Sequence, residues 1–326
     1  MSRSTDARRA RAFLQHAAEP ANPVLARYVA QVGPIDAAHR IASCSAPPHV
    51  LAESRRNVRW HLADASLRAA AEMGARFVIP EDDEWPTDVF AGLSALAVEH
   101  DTPSAAPLGL WVHGEPRLDE LTAARSVAIL GSRAATDYGK HYAEDFAGAL
   151  ALRNVAVWSG AGYGIDGAAH HGALATGRPA GTVAVLPCGL DGGYPAGHIG
   201  LIQRIAASGA VVSEYPPGVP PARRRFLQRH RLLAAFTTAT VVVEAGRRSG
   251  ARHAARLAAE LGRPVLATPG PLSSAVSAGC HELIQDGTAR LITCVDDILA
   301  AIEQSDEDEM DAEPATALMS EEAGRR

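Results

Sequence analysis

Val127-Ala128-Ile129-Leu130-Gly131-Ser132-Arg133 is the stretch that decides the fold. Four apolar residues without polar alternation read as a strand buried on both faces, ending on a small, basic turn. About thirty residues on, Val155-Ala156-Val157-Trp158-Ser159 repeats the pattern and ends on Gly160-Ala161-Gly162-Tyr163-Gly164-Ile165-Asp166. Two such strands, each delivering glycines, hydroxyls and charge at its carboxyl end, make the rim of a doubly wound α/β sheet, where these folds bind ligands.

Outward from there the period is regular. Strand-like runs fall at 127–130, 155–159, 182–186, 210–213, 240–244 and 265–268, with helix-like, alanine-rich segments between them at about 139–153, 164–177, 197–208, 226–236 and 249–262. Strands alternating with helices of that length make a mostly parallel sheet covered on both faces, and right-handed crossovers put every post-strand loop on one edge. That edge collects Gly131 to Arg133, Gly160 to Asp166, Pro187 to Asp191, Glu214 to Pro217, Glu244 to Gly250 and Pro269 to Pro271.

Upstream, helical patterns at 5–20, 24–42 and Leu51 to Met73, broken by prolines and by Gly33-Pro34, predict a small helical module over 1–100. Short strands are expected at Phe77 to Pro80 and Leu108 to His113, with a hinge at Asp101 to Ser104. A Rossmann-like domain over 101–302 follows, then a disordered acidic tail over 303–326, too charged and too poor in apolar residues to order itself.

The net charge of −6 argues against a polyanionic partner until the chain is divided. Residues 1–120 hold 12 basic and 16 acidic residues, 303–326 hold 2 and 9, and 121–302 hold 17 and 12, a surplus of five positive charges in the middle. Cys44, Cys188, Cys280 and Cys294 are scattered without a CxxC, so reduced thiols in a cytoplasmic protein are expected. No apolar stretch reaches membrane-spanning length, and no membrane partner is expected.

At the rim, Gly131 lets backbone approach an anion, Ser132 offers a hydroxyl and Arg133 a fork for phosphate oxygens. A P-loop is excluded because seven residues separate Gly131 from Gly139 and His141 follows Lys140. The second loop fails the dinucleotide pattern at its third glycine, and no acidic residue follows Leu186, so no cofactor is expected. Asp166 and His170 share a helix face but lack a third ligand or nucleophile, so Asp166 is read as an anchor of the glycine loop, and no metal is expected. Cys188 and Cys280 lack an activating partner.

Arginines carry the stronger signal. Arg223, Arg224, Arg225, Arg229 and Arg231, interleaved with Phe226 and His230, are followed by Arg247, Arg248, Arg252 and Arg256 after the next strand. Guanidinium groups with an aromatic between them suit a single strand of nucleic acid.

These residues carry a resemblance. Gly131-Ser132-Arg133, Ser159-Gly160, Gly164-Ile165-Asp166, Ala169-His170, Leu186 to Asp191, Tyr194-Pro195, Ser213 to Gly218, Phe226, Arg229, Arg231, Val243-Glu244-Ala245, Ser249-Gly250, Pro269-Gly270, Gly279, Leu283-Ile284 and Gly287 are ordered as in the DNA-processing family DprA (Smf). The resemblance implies an extended Rossmann fold that binds single-stranded DNA, loads a RecA-type recombinase and works as a homodimer, without enzymatic activity. It implies DNA or phosphate contacts from Gly131, Ser132, Arg133, Gly160, Gly164, Asp166, Phe226, Arg229, Arg231, Ser249 and Gly250.

The chain departs from the family's pattern in places. Gly162-Tyr163 replaces alanine-arginine, and His230, His253 and His281 stand at other polar positions. The histidines predict tighter DNA binding below about pH 6.5. The family's frequent C-terminal winged helix is not expected after residue 302. Two rivals on the same scaffold are a nucleoside-monophosphate phosphoribohydrolase, whose PGGxGTxxE motif is replaced by Glu244 to Gly250, and a small-nucleotide sensor.

Overall fold

The structure is a computed structural model describing residues 3–99, 105–305 and 307. The expected hinge at 101–104 and nearly all of the expected acidic tail lie outside the described residues.

Five helices open the chain: α1 (Arg3–Ala17), α2 (Pro23–Val32), α3 (Pro34–Ala42), α4 (Pro48–Ala52) and α5 (Trp60–Glu72). Then come β1 (Ala75–Val78), α6 (Thr87–Glu99), β2 (Leu110–His113), α7 (Leu118–Ala123) and β3 (Ser126–Gly131). The regular alternation follows with α8 (Asp137–Leu152), β4 (Ala156–Ser159), α9 (Ile165–Ala175), β5 (Thr182–Leu186), α10 (Ile199–Ser208), β6 (Ala210–Ser213), α11 (Arg223–Phe236) and β7 (Ala239–Glu244). The described residues continue with α12 (Gly250–Glu260), β8 (Val265–Ala267), α13 (Ala278–Gln285), β9 (Arg290–Leu291) and a helix over 295–305.

Among the described residues the strands form one nine-stranded sheet in the order β1-β2-β6-β5-β4-β3-β7-β8-β9. From β6 to β9 neighbours are parallel, while β1 and β2 add an antiparallel edge. The antiparallel edge therefore takes one strand from either side of residue 100. Side chains alternate across it as the pleat requires. Ala128, Leu130, Trp158, Val183 and Val185 face a core shared with α6, α11 and α12, while Val127, Ile129 and Val157 face one shared with α8 and α9. A third core joins the N-terminal helices to Phe77, Trp111, Ala184 and Leu186. The order reverses at β3, with β4 on one side and β7 on the other, so the crevice of the fold opens at the carboxyl ends of these strands.

Differences from expectation reach several elements: α13, β9 and the helix over 295–305 have no counterpart in the expected pattern, and that helix orders residues 303–305 of the span expected to be a disordered tail, while two further differences lie in the N-terminal half. Leu51 to Met73 is interrupted between α4 and α5, where the Arg55 backbone donates to Ala17 O at 2.6 Å, its side chain pairs with Glu19, and Asn57 turns left-handed at φ 64°. Neither glycine nor proline marks that break. The other is α6, which the sequence pattern does not announce; its Phe90 and Leu93 cover the sheet, and its apolar residues run almost continuously without a clear period.

Gln15, buried in α1, fastens the helical module to the sheet. Its Nε2 donates to Gly109 O at 2.7 Å and its Oε1 accepts from the fully buried Trp111 Nε1 at 2.8 Å. Gln15→Leu strands both partners, so stability falls by about 1–3 kcal/mol for each group left unpaired. Urea unfolding measures this, and a loss below about 0.5 kcal/mol would contradict the assignment.

Candidate functional site

The carboxyl rim is built by two loops that interlock. Ser132 N donates to Glu244 O at 2.7 Å, tying the end of β3 to the end of β7, and Ile165 N donates to Ser132 O at 3.2 Å. Gly164, at φ 75°, brings the second loop against the Ser132 and Arg133 carbonyls so closely that a Cβ would collide with both. Beneath them Glu244 is buried and accepts from Thr136 N at 2.9 Å and Thr136 Oγ1 at 2.5 Å, while Thr136 caps α8 by accepting from Gly139 N.

Arg229 lies under the second loop. Its guanidinium donates to Gly160 O, to Val185 O at 3.2 Å and to Asp166 Oδ2 at 3.1 Å. Gly160 has no side chain because that guanidinium fills the space. Burial lowers the Arg229 pKa, and the Asp166 charge opposes that shift. Asp166 also accepts from Gly162 N at 3.3 Å, so the anchoring role expected of it is what the geometry contains. His170 packs in the core on Thr182 Oγ1 at 2.7 Å, and burial lowers its pKa to about 3.

The arginine clusters need correction. Arg229 and Arg231, expected to hold nucleotides, are 5% and 2% exposed, and Arg231 is sealed against buried Glu214 at 2.6 Å. Arg224 and Arg225 reach Glu19 of the helical module at 3.1 and 2.7 Å; Arg247 and Arg252 share Glu282, and Arg256 faces Asp286. Seven of the nine arginines are thus ion-paired, leaving Arg223 and Arg248 without a carboxylate partner among the described residues. Helical position alone does not tell a solvated cation from a paired one.

Arg133 is different. It is exposed, has no carboxylate partner among the described residues, and lies over Phe226 at 4.2 Å from the ring centroid. Tyr194 meets Phe226 edge-on at 5.2 Å and stands 6.0 Å from the Arg133 guanidinium carbon. Of the residues expected at the site, Gly131, Ser132, Arg133, Gly164 and Phe226 thus come together at a partly open rim. Gly160 and Asp166 are buried supports. Ser249 and Gly250 serve the start of the next helix instead: Ser249 caps α12 by accepting from Ala251 N at 3.2 Å, and Gly250 packs on the His230 ring. Tyr194 is absent from the contacts expected on sequence grounds; an aromatic in the loop after β5 is its signal.

Histidine charging at this site also needs correction. Burial, with Arg229 nearby, pushes the His230 pKa well below its ordinary value, and burial lowers that of His253. His281 Nε2 sits 3.0 Å from Gly270 O. His230 therefore does not gain charge near pH 6.5, and His253 gains it below its ordinary range. The four cysteines are free: Cys44 and Cys294 are exposed, while burial raises the Cys188 and Cys280 thiols to about 11 and about 12. No metal-ligating cluster occurs among the described residues, nor is any helix there long and apolar enough to cross a membrane.

Arg231→Met leaves Glu214 buried without its partner and lowers stability by about 3–5 kcal/mol in denaturant unfolding, whereas Arg133→Ala stays within about 0.5 kcal/mol. Because His170 and His230 stay neutral in the folded state, their contribution is intact above the unfolded pKa of about 6.5. It is lost as pH falls below that value, by up to about 1.4 kcal/mol per pH unit for each, toward about 3 for His170. Urea midpoints that do not drop between about pH 7.5 and about pH 5 would contradict this.

Comparison with known proteins bears on what such a rim serves. A family model described as DNA recombination-mediator protein A matches residues 76–303. A DNA processing protein DprA of Mycobacterium tuberculosis is 48% identical over 291 residues, covering 89% of this chain and 74% of its own length. Protein Smf of Escherichia coli is 41% identical over 200 residues, covering 59% of this chain and 50% of its own. Among solved structures, DprA from Streptococcus pneumoniae superposes with a TM-score of 0.70 at 29% identity, over 88% of this chain and 95% of that one. DNA processing protein A from Helicobacter pylori, described for its unique single-stranded DNA binding mode, gives 0.59 at 28% identity, over 72% and 97%. The expected doubly wound α/β fold is the fold these proteins share, and with a family match across most of its length the chain belongs to the DNA recombination-mediator protein A family, the DprA/Smf proteins.

Proposed function

We propose that the protein is a cytoplasmic, non-enzymatic single-stranded DNA-binding protein. It holds incoming strands across the rim and passes them to a RecA-type recombinase in recombination and natural transformation, acting as a homodimer with two such rims. In this reading residues 101–302 supply the DNA-binding domain and residues 1–100 a helical module braced against it.

The observation that carries the reading is the Arg133 stack on Phe226 and Tyr194 at the open crevice. Held over an aromatic face without a carboxylate partner, a guanidinium keeps N–H groups available for phosphate oxygens, while the neighbouring rings offer faces and edges to bases. Such contacts carry no base identity, so binding is sequence-tolerant and salt-dependent. The single-stranded DNA binding described for the Helicobacter pylori relative supports the same reading. Against the phosphoribohydrolase alternative, the Glu244 carboxylate is buried and committed to Thr136 instead of facing a ligand.

Arg133→Ala should weaken binding of oligo-dT and of mixed-sequence strands alike by about ten-fold, the scale of one charge-assisted hydrogen bond, and make the salt slope shallower by about 0.7. Fluorescence anisotropy titrations at several salt concentrations measure both. Base release from AMP, or tight AMP binding without oligonucleotide binding, would overturn the proposal.

A further inference from the structure

Tyr163 occupies a position where the family's pattern carries an arginine. In its loop Gly160, Ala161 and Gly162 are buried, whereas Tyr163 is 48% exposed. A surface tyrosine is ordinary in itself. This one is fastened at two points. Its hydroxyl accepts from Gly197 N at 3.2 Å, and its ring meets His198 edge-on, with centroids 4.7 Å apart and planes at 74°. His198 is fixed in turn, because its Nδ1 donates to Ala161 O at 3.0 Å. The ring is therefore held in place before any ligand arrives, with much of its surface in water.

The same short segment serves both aromatic positions. Tyr194 at one end packs on Phe226, and Gly197 and His198 at the other hold Tyr163. Three residues of chain, Tyr194 to Gly197, span at most about 11 Å. On the other side Gly164, next to Tyr163, closes on the Ser132 and Arg133 carbonyls. Tyr163 and the Arg133 stack are thus neighbours along one rim.

We propose that Tyr163 is a second base-stacking platform, taking a base adjacent to the one held at Phe226 and Tyr194, so that this chain replaces a positive charge in the glycine loop with a stacking contact. The inference rests on the single-strand reading. A ring already immobilised loses little freedom on binding, so more of the stacking free energy appears as affinity. Affinity in this protein then depends more on the presence of bases and less on salt than it would with arginine at this position.

The test compares oligo-dT with an abasic strand of equal length, using the wild type, Tyr163→Ala, Tyr163→Phe and Tyr163→Arg, with circular-dichroism melting as a check on folding. Tyr163→Ala should weaken oligo-dT binding about ten-fold and leave abasic binding within about two-fold, while Tyr163→Phe stays near wild type. Tyr163→Arg should steepen the salt slope by about 0.7 and reduce the preference for oligo-dT over the abasic strand. Equal losses on both strands would make Tyr163 a structural support and overturn the inference. So would unchanged binding by Tyr163→Ala, with the single-strand reading left standing. A wild type that binds neither strand would overturn both.

Discussion

The buried guanidinium of Arg229 joins three elements that would otherwise end separately: β4 through Gly160 O, β5 through Val185 O, and α9 through Asp166. Removing an arginine from water is costly unless its charge is met, and here a carboxylate and two carbonyls meet the charge and the two terminal nitrogens, while the buried Nε has no hydrogen-bond partner among the described residues. Because the guanidinium fills the space beside Gly160, the second loop is held up from beneath and its exposed residues are pushed outward. The first loop is held comparably by Ser132 on Glu244 O and by Gly164 closing over it. Arg133 and Tyr163 project from this foundation.

Buried and exposed cations consequently do different work on one helix. Arg225, Arg229 and Arg231 of α11 are committed to Glu19, Asp166 and Glu214, which ties the helical module, the second loop and the end of β6 to a single element. Burial raises the Glu214 pKa and the Arg231 charge opposes that shift. Phe226, between them, turns to the rim and receives Arg133. α11 is thus a clamp and, in the proposed reading, the floor of the strand path, with Arg133 at its border as the cation that would meet phosphate.

The sheet was legible because its strands are continuous apolar runs at a steady spacing, with glycine at the carboxyl ends of β3 and β4. The rim loops were legible for the same reason. Pairing was not: Arg231 and Arg133 are the same residue type, and the distant Glu214 that neutralises Arg231 becomes its neighbour through the crossover alone. His230 likewise reads as a titratable group until burial beside Arg229 is known. Tyr163 was visible as a departure from the family's pattern, but its fastening to Gly197 and His198 depends on a loop more than thirty residues away.

If single-stranded DNA follows the rim between the β3 and β7 ends, Arg133 is the first cation to meet it, and a crystal structure of the protein with a short oligo-dT would show the encounter. A backbone phosphate should lie within hydrogen-bond distance of the Arg133 guanidinium and a thymine against Phe226 and Tyr194, with Arg229 and Arg231 still in their ion pairs. A strand bound on another face, or one that reaches Arg231 by breaking its pair with Glu214, would contradict this path.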